Sequence, residues 1–296
     1  MDIDKTKRIE WSTISWRKEV ITAGLWGSRP REGAKCVVEI EKICVVNVTL
    51  EQVQQLDISL YLSSDFNKTL VIGEADTDFD RCFNRVMRTM QKGEVSSFIF
   101  SFLLSDSNDI ENSKEGTITC IVLLKEFFNE PHIFEWSDSK KYKLALEHKI
   151  RGVELFKCGR TRDAFMRFSK ALKLLITIMP LDLEYECTYP REEVLSLRVI
   201  LCNNIASCHL KYKNYDSVIT MCNKALDLEP NNVKALFRRA VSKIELQSYE
   251  HAQDDLNRIL QLEPGNVAAK EKLQEVKLKQ KKYDFKMADA MKKMFL

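Results

Sequence analysis

The stretch NYDSVITMCNKALDLEPNN, residues 214–232, returns as SYEHAQDDLNRILQLEPGN, residues 248–266. Tyr215 corresponds to Tyr249, Leu226 to Leu260, Leu228 to Leu262, Pro230 to Pro264 and Asn232 to Asn266, always 34 residues apart. The apolar positions inside each copy follow helical spacing. A 34-residue unit of this kind makes two antiparallel helices and cannot bury its apolar face alone, so it must stack on further copies. Ala206 and Ala240 repeat at the same offset, as the small residues that let paired helices approach. An earlier unit, IRGVELFKCGRTRDAFMRFSKALKLL, places Gly152 at that small site and follows it with Ala164, Phe168 and Ala171. Three units are predicted, at about 145–178, 199–232 and 233–266, within an all-α region at 139–277. A longer connection, TIMPLDLEYECTYPREE, separates the first two. Three is the smallest number at which such stacks become stable.

The first 128 residues read differently. CVVEIEKICVVNV (36–48) is rich in β-branched residues, and GTITCIVLLKEF (116–127) is a largely apolar final strand. DISLYLSS and part of VSSFIFSFLLS alternate. A helix interrupts them at DTDFDRCFNRVMRTMQKGE. Phe79, Phe83, Val86, Met87 and Met90 mark its apolar face, Asp76 or Thr77 its cap, and Gly93 its end. The expected fold is an α+β domain at 1–128, a linker at 129–138 broken by Pro131, and then the helical repeats, with Ser137 or Asp138 capping the first helix. Residues 278–296 continue as a basic helix that covers the last repeat.

With a net charge of +3 the chain gives no compositional case for nucleic-acid binding. No apolar run approaches the ~20 residues of a membrane span. The charged start, MDIDKTKRIEW, has no secretory apolar core. Nine cysteines occur without a CxxC pair, and the four histidines are scattered, so neither a disulfide framework nor a metal site is expected. Cys202, Cys208 and Cys222 fit the interior of helices. These features suit a reduced, cytoplasmic protein, with the nucleus also open to it. No glycine-rich phosphate loop, nucleophile–histidine pair or cofactor motif is present, and Asp78 and Asp80 read as one charged helix turn.

KALFRRA (234–240) carries the chemistry. Lys234 and Arg238 are four apart and share a helix face, where two cations repel by a few tenths of a kcal/mol. Such a pair is either a solvated stripe or a site for an anion. Asn204 stands 34 residues before Arg238, at the same phase, and Lys149 lies on the corresponding helix of the first unit. Two ammonium groups, a guanidinium fork and an amide suit a peptide's terminal carboxylate together with an acidic side chain. Arg239 reads as structural.

On these residues the repeats resemble the tetratricopeptide domains of immunophilin co-chaperones. The resemblance implies a carboxylate clamp for the Met-Glu-Glu-Val-Asp tail of heat-shock protein 90, formed by Lys149, Asn204, Lys234 and Arg238. The tail of heat-shock protein 70 is a second candidate. The family's unit-one Asn position falls on Val153, which removes one hydrogen bond. KCVVEIEK, FDRCFNRVMRTMQKGEVSSFIF and GTITCIVLLKEF resemble an FKBP-type prolyl isomerase domain, and the chain as a whole resembles a divergent, FKBP-like branch of the family. Here the pocket Tyr is Ile40, the pocket Trp is Phe83, and the apolar Val-Ile pair falls on Phe79 and Asp80. The segment LLSDSNDIENSKEG, expected as a loop, lacks the family's Ala-Tyr-Gly and Ile-Pro-Pro. The resemblance therefore implies a non-catalytic adaptor that brings an unidentified client to the chaperone. A weak isomerase and a scaffold for an unrelated partner are the rival readings. The tail, with Met287, Met291, Met294 and Phe295 among lysines, also resembles a calmodulin target.

Overall fold

The computed structural model describes residues 7–47, 59, 61–62, 68–106, 109–178 and 190–294. The chain divides into two compact units between Ile133 and Phe134.

The first unit is a five-stranded antiparallel sheet in the order β1-β4-β5-β2-β3, with one helix among the described residues. Its strands are β1 (Lys7–Thr22), β2 (Lys35–Val46), β3 (Thr69–Val71), β4 (Val95–Asp106) and β5 (Asp109–Phe128). The core follows the two-residue period of a strand. Phe98, Phe100 and Phe102 on β4 and Ile118, Cys120, Val122 and Leu124 on β5 all turn to one buried face. In register, Phe98 lies opposite Cys120 and Phe100 opposite Ile118. Helix α1 (Asp78–Met87) covers that face with Phe79, Cys82, Phe83, Val86 and Met87.

Three features depart from the sequence expectation. Strand β1, for which the sequence expectation holds no element, is a full edge strand; its charged residues are of the kind an edge strand carries to deter further pairing. The segment expected as a loop is instead the tip of the β4–β5 hairpin, with Leu104 opposite Lys114 and Asp106 opposite Asp109. Helix α1 ends at Met87 rather than at Gly93. Tight turns from Thr89 N to Val86 O and from Met90 N to Met87 O close it, and Met90 stays buried outside the helix. Thr77 is the cap, its hydroxyl accepting from Asp80 N at 3.0 Å. The alternating segment DISLYLSS lies outside the described residues except at Ser59, Tyr61 and Leu62, and most of the first inter-repeat connection lies outside them too.

The second unit is a run of seven helices among the described residues: α2 (Asp138–Lys157), α3 (Thr161–Ile178), α4 (Arg191–Lys211), α5 (Tyr215–Leu228), α6 (Val233–Glu245), α7 (Tyr249–Leu262) and α8 (Val267–Met294). Each packs on the next, and the first helices of successive units touch, α2 against α4 and α4 against α6. Ser137 caps α2 through Lys140 N. The small sites act as expected. A Cβ on Gly152 would lie 2.6 Å from Cε1 of Phe168, and Ala206 and Ala240 are fully buried.

The repeated Glu-Pro-x-Asn loops have a shared purpose. Asn232 caps α6 by accepting from Ala235 N at 3.0 Å and holds Glu229 through Nδ2. Asn266 does the same for α8, with Ala269 N and Glu263. Helix α8 runs unbroken across residue 277. Ala269 and Val276 are buried, whereas Leu278, Phe285, Met287 and Met291 are exposed, and Tyr283 meets Tyr249 edge-on at 5.9 Å. No described helix is long and apolar enough to cross a membrane.

Candidate functional site

Helices α2, α4 and α6 line up as neighbours, and each carries part of the proposed groove. Lys149 on α2 and Asn204 on α4 are half-buried, and Lys234 on α6 is exposed. None of the three makes a side-chain hydrogen bond or ion pair among the described residues. Val153, one turn after Lys149, is half-buried and offers no polar group.

Arg238 is held. Its Nη1 donates to Asn203 Oδ1 at 3.0 Å and, at longer range, to the carbonyl of Lys234 at 3.4 Å. The Nε–Nη2 edge has no partner among the described residues. A guanidinium carries five N–H donors in a planar fork, so this edge remains able to take a carboxylate side-on. Burial pulls the Arg238 guanidinium below its ordinary pKa, with a smaller opposing effect from Cys222. Arginine nevertheless stays a cation at neutral pH.

Arg239 is the opposite case. Its Nε and Nη2 form a bidentate pair with the buried carboxylate of Asp255 at 3.0 and 2.7 Å, and its Nη1 donates to Asn223 at 2.7 Å. Lys243 joins the same carboxylate at 2.9 Å. The whole fork is spent in tying α6 to α5 and α7.

Asn203 was not singled out from the sequence. It is buried, donates from Nδ2 to Val199 O and to Asn232 Oδ1, and accepts from Arg238. The Asn203–Asn204 doublet was the available signal: one residue of such a pair faces the neighbouring helix while the other faces outward.

The four positions carried over to the N-terminal unit lie on its core side. Phe79 and Phe83 are 0% exposed. Their ring centroids lie 4.9 and 6.1 Å from that of Phe100, and Phe83 lies 5.6 Å from Tyr61. Asp80 is buried and accepts a hydrogen bond from Ser59 Oγ, whose oxygen in turn accepts from the backbone N–H groups of Tyr61 and Leu62. Ile40 on β2 packs half-buried against the same core. A buried carboxylate and packed aromatic rings thus occupy the positions that the resemblance assigns to a pocket.

Burial pushes the thiols of Cys36, Cys120, Cys208 and Cys222 up to about 12, which makes them packing groups rather than nucleophiles. No cluster of three or more potential metal ligands occurs among the described residues.

Residues 11–123 match the family model described as BDBT FKBP like N-terminal, and residues 137–220 match Bride of doubletime-like, TPR domain. The human protein named peptidyl-prolyl cis-trans isomerase FKBP4 is 29% identical over 251 residues, covering 80% of this chain and 49% of that protein. Human FK506-binding protein-like is 35% identical over 162 residues, covering 55% of this chain and 43% of that protein. The chain thus spans about half the length of these curated relatives. The crystal structure of residues 1–211 of CG17282 is similar in fold, with 23% identity and a TM-score of 0.52 over 68% of this chain and 91% of that one.

Proposed function

This chain joins a Bride of doubletime-type FKBP-like domain to a tetratricopeptide domain, and from that architecture we propose that it is a non-catalytic co-chaperone adaptor. Its repeat half captures an acidic peptide by the terminal carboxylate, and the tail of heat-shock protein 90 is the ligand that the clamp pattern favours. The tail of heat-shock protein 70 offers the same terminal chemistry, and the N-terminal half is left to hold a client.

One observation carries this reading: Arg238 and Arg239 are adjacent, yet Arg239 is consumed by Asp255 and Asn223, while Arg238 keeps one edge of its fork open beside a helix that presents Asn204. Lys149 and Lys234 add charge that no described protein group neutralises. At a surface such cations are well solvated and gain little from another exposed charge, but they gain more against a carboxylate that is partly desolvated on binding.

Isothermal titration with a Met-Glu-Glu-Val-Asp peptide, as the free acid and as the C-terminal amide, tests it. Micromolar binding of the acid corresponds to about −8 kcal/mol. Arg238→Ala should cost roughly 2–5 kcal/mol for the acid. Equal binding of acid and amide would end the clamp reading. If a partner still bound after charge reversal at Lys234, a scaffold using another surface would replace it.

The isomerase reading is disfavoured by the filled core. Catalysis of prolyl rotation needs a dry aromatic pocket that admits the ring, whereas Phe79 and Phe83 are enclosed and Asp80 is a buried acceptor. Protease-coupled turnover of a prolyl tetrapeptide should match the uncatalysed rate; acceleration would overturn this half of the proposal. The exposed Leu278, Phe285, Met287 and Met291 on the lysine-rich end of α8 support calmodulin as a further partner, which calcium-dependent co-elution would test.

A further inference from the structure

We infer that Asn203 is a positioning residue for the carboxylate site: it fixes the Arg238 guanidinium so that the Nε–Nη2 edge is presented ready-made. This rests on the clamp reading above and adds a residue that the resemblance does not supply.

The bond network determines which way the Asn203 amide points. Arg238 can only donate, so the oxygen must face it. The other end meets two acceptors, Val199 O at 3.1 Å and Asn232 Oδ1 at 3.2 Å, so that end must be the NH2 group. Both ends are therefore satisfied in one orientation only. Asn232 is itself fixed, because its Oδ1 caps α6 through Ala235 N and its Nδ2 holds Glu229. A continuous chain of hydrogen bonds thus runs from the loop before α6, across to α4, and back to Arg238 on α6.

The consequence for Arg238 is geometric. Its Nη1 is occupied by Asn203 and the Lys234 carbonyl. An arginine side chain loses considerable rotamer freedom when it docks a ligand. Here much of that freedom is already removed before any ligand arrives. The effect offsets the donor missing at Val153, since a site with fewer hydrogen bonds gains from holding the remaining ones in place. Asn203 is buried and does not reach the ligand; it acts through Arg238.

The test compares the free-acid and amidated peptides on the full chain and on Arg238→Ala, Asn203→Leu and Asn203→Asp, with thermal melting of each. Asn203→Leu should weaken acid binding about tenfold, through lost preorganisation, while leaving weak amide binding unchanged. In the background of Arg238→Ala it should have no further effect on acid binding. Asn203→Asp places a carboxylate against the guanidinium and should abolish the preference for the acid as fully as Arg238→Ala does. In the unliganded protein, ¹⁵N relaxation at Arg238 Nε should report an ordered side chain that becomes mobile in Asn203→Leu; this reading does not depend on peptide affinity.

The inference is overturned if Arg238→Ala removes the acid preference but Asn203→Leu binds like the unmodified protein, or loses acid and amide equally, or leaves Nε ordered. If Arg238→Ala itself leaves the preference intact, the clamp reading falls first and this inference with it.

Discussion

The groove on the repeats and the pocket position in the N-terminal sheet stand at opposite ends of one scale. In the groove, Lys149, Asn204 and Lys234 have polar groups that no described residue satisfies, and Arg238 is held by one nitrogen only. In the sheet, Phe79 and Phe83 are packed on all sides and Asp80 has Ser59 as partner. A folded protein satisfies its buried polar groups and fills its interior, whereas donors at a partly exposed surface stay available to water or to a ligand. A residue enclosed by its own chain points to stability. The two regions differ in whether a side chain finds its partners within its own chain or leaves groups open at the surface.

The comparison can be broken where its stability half is strongest. Phe83→Ala should destabilise the N-terminal unit by about 3–5 kcal/mol through lost burial and a residual cavity, without changing peptide affinity. Chemical denaturation alongside titration reads both, and a stable Ala variant would show that the site tolerates an opening. Next in size is Asp255→Ala, which leaves Arg239 and Lys243 facing each other without their shared carboxylate; a loss of about 3 kcal/mol is expected, seen as a lower Tm. That result would mark Arg239 as glue beside an Arg238 whose Nε–Nη2 edge has no partner among the described residues.

A smaller effect of opposite sign is expected at Asn84. It is buried on α1 with neither amide atom hydrogen-bonded among the described residues. Asn84→Leu should raise stability by about 1 kcal/mol, seen as a higher denaturation midpoint with unchanged slope. A loss would show that the amide has a partner or a task.

Glu94 gives a pH signature. Burial alone would raise its pKa, but Lys18 at 2.6 Å, Ser96 and the backbone of Gln91 outweigh burial and hold the carboxyl below its ordinary range. A depressed folded-state pKa contributes stability above the unfolded value, and that stability is lost as pH falls through the folded value. Acid melts should therefore be shallower for Glu94→Gln than for the unmodified chain. Smallest on stability, and sharpest for the comparison, is Lys234→Ala. Its exposed side chain should change stability by no more than about 0.5 kcal/mol, read from denaturation, yet weaken acid binding. If folding and binding moved together there, the groove would be no different from the sheet.

Much of this was legible beforehand. The 34-residue offset placed the units, Gly152 marked the close packing with Phe168, and the Glu-Pro-x-Asn loops marked the caps, because each signal is local or strictly periodic. The edge strand β1 was not legible, since its partner β4 lies 73 (Thr22 to Val95) to 99 (Lys7 to Asp106) residues away in sequence. The end of α1 was missed by the distance from Met87 to Gly93, because apolar spacing persists at Met90 after the backbone has turned. Helix α4 begins at Arg191, ahead of the unit expected from 199, since the repeat pattern says nothing about how far a helix extends beyond its stack.

By itself, then, the sequence determined the order of the two units, the phase of the repeats and the residue types available at the groove and at Ile40, Phe79, Asp80 and Phe83. Tertiary structure alone decided how each polar residue is used. Asn203 and Asn204, like Arg238 and Arg239, are neighbours with identical chemistry, but successive helix positions point about 100° apart. Whether a side chain at one of them is spent or left open depends on which groups the adjoining helices bring to it: among the described residues Asp255 and Asn223 reach Arg239, whereas Asn203 and a carbonyl reach Arg238.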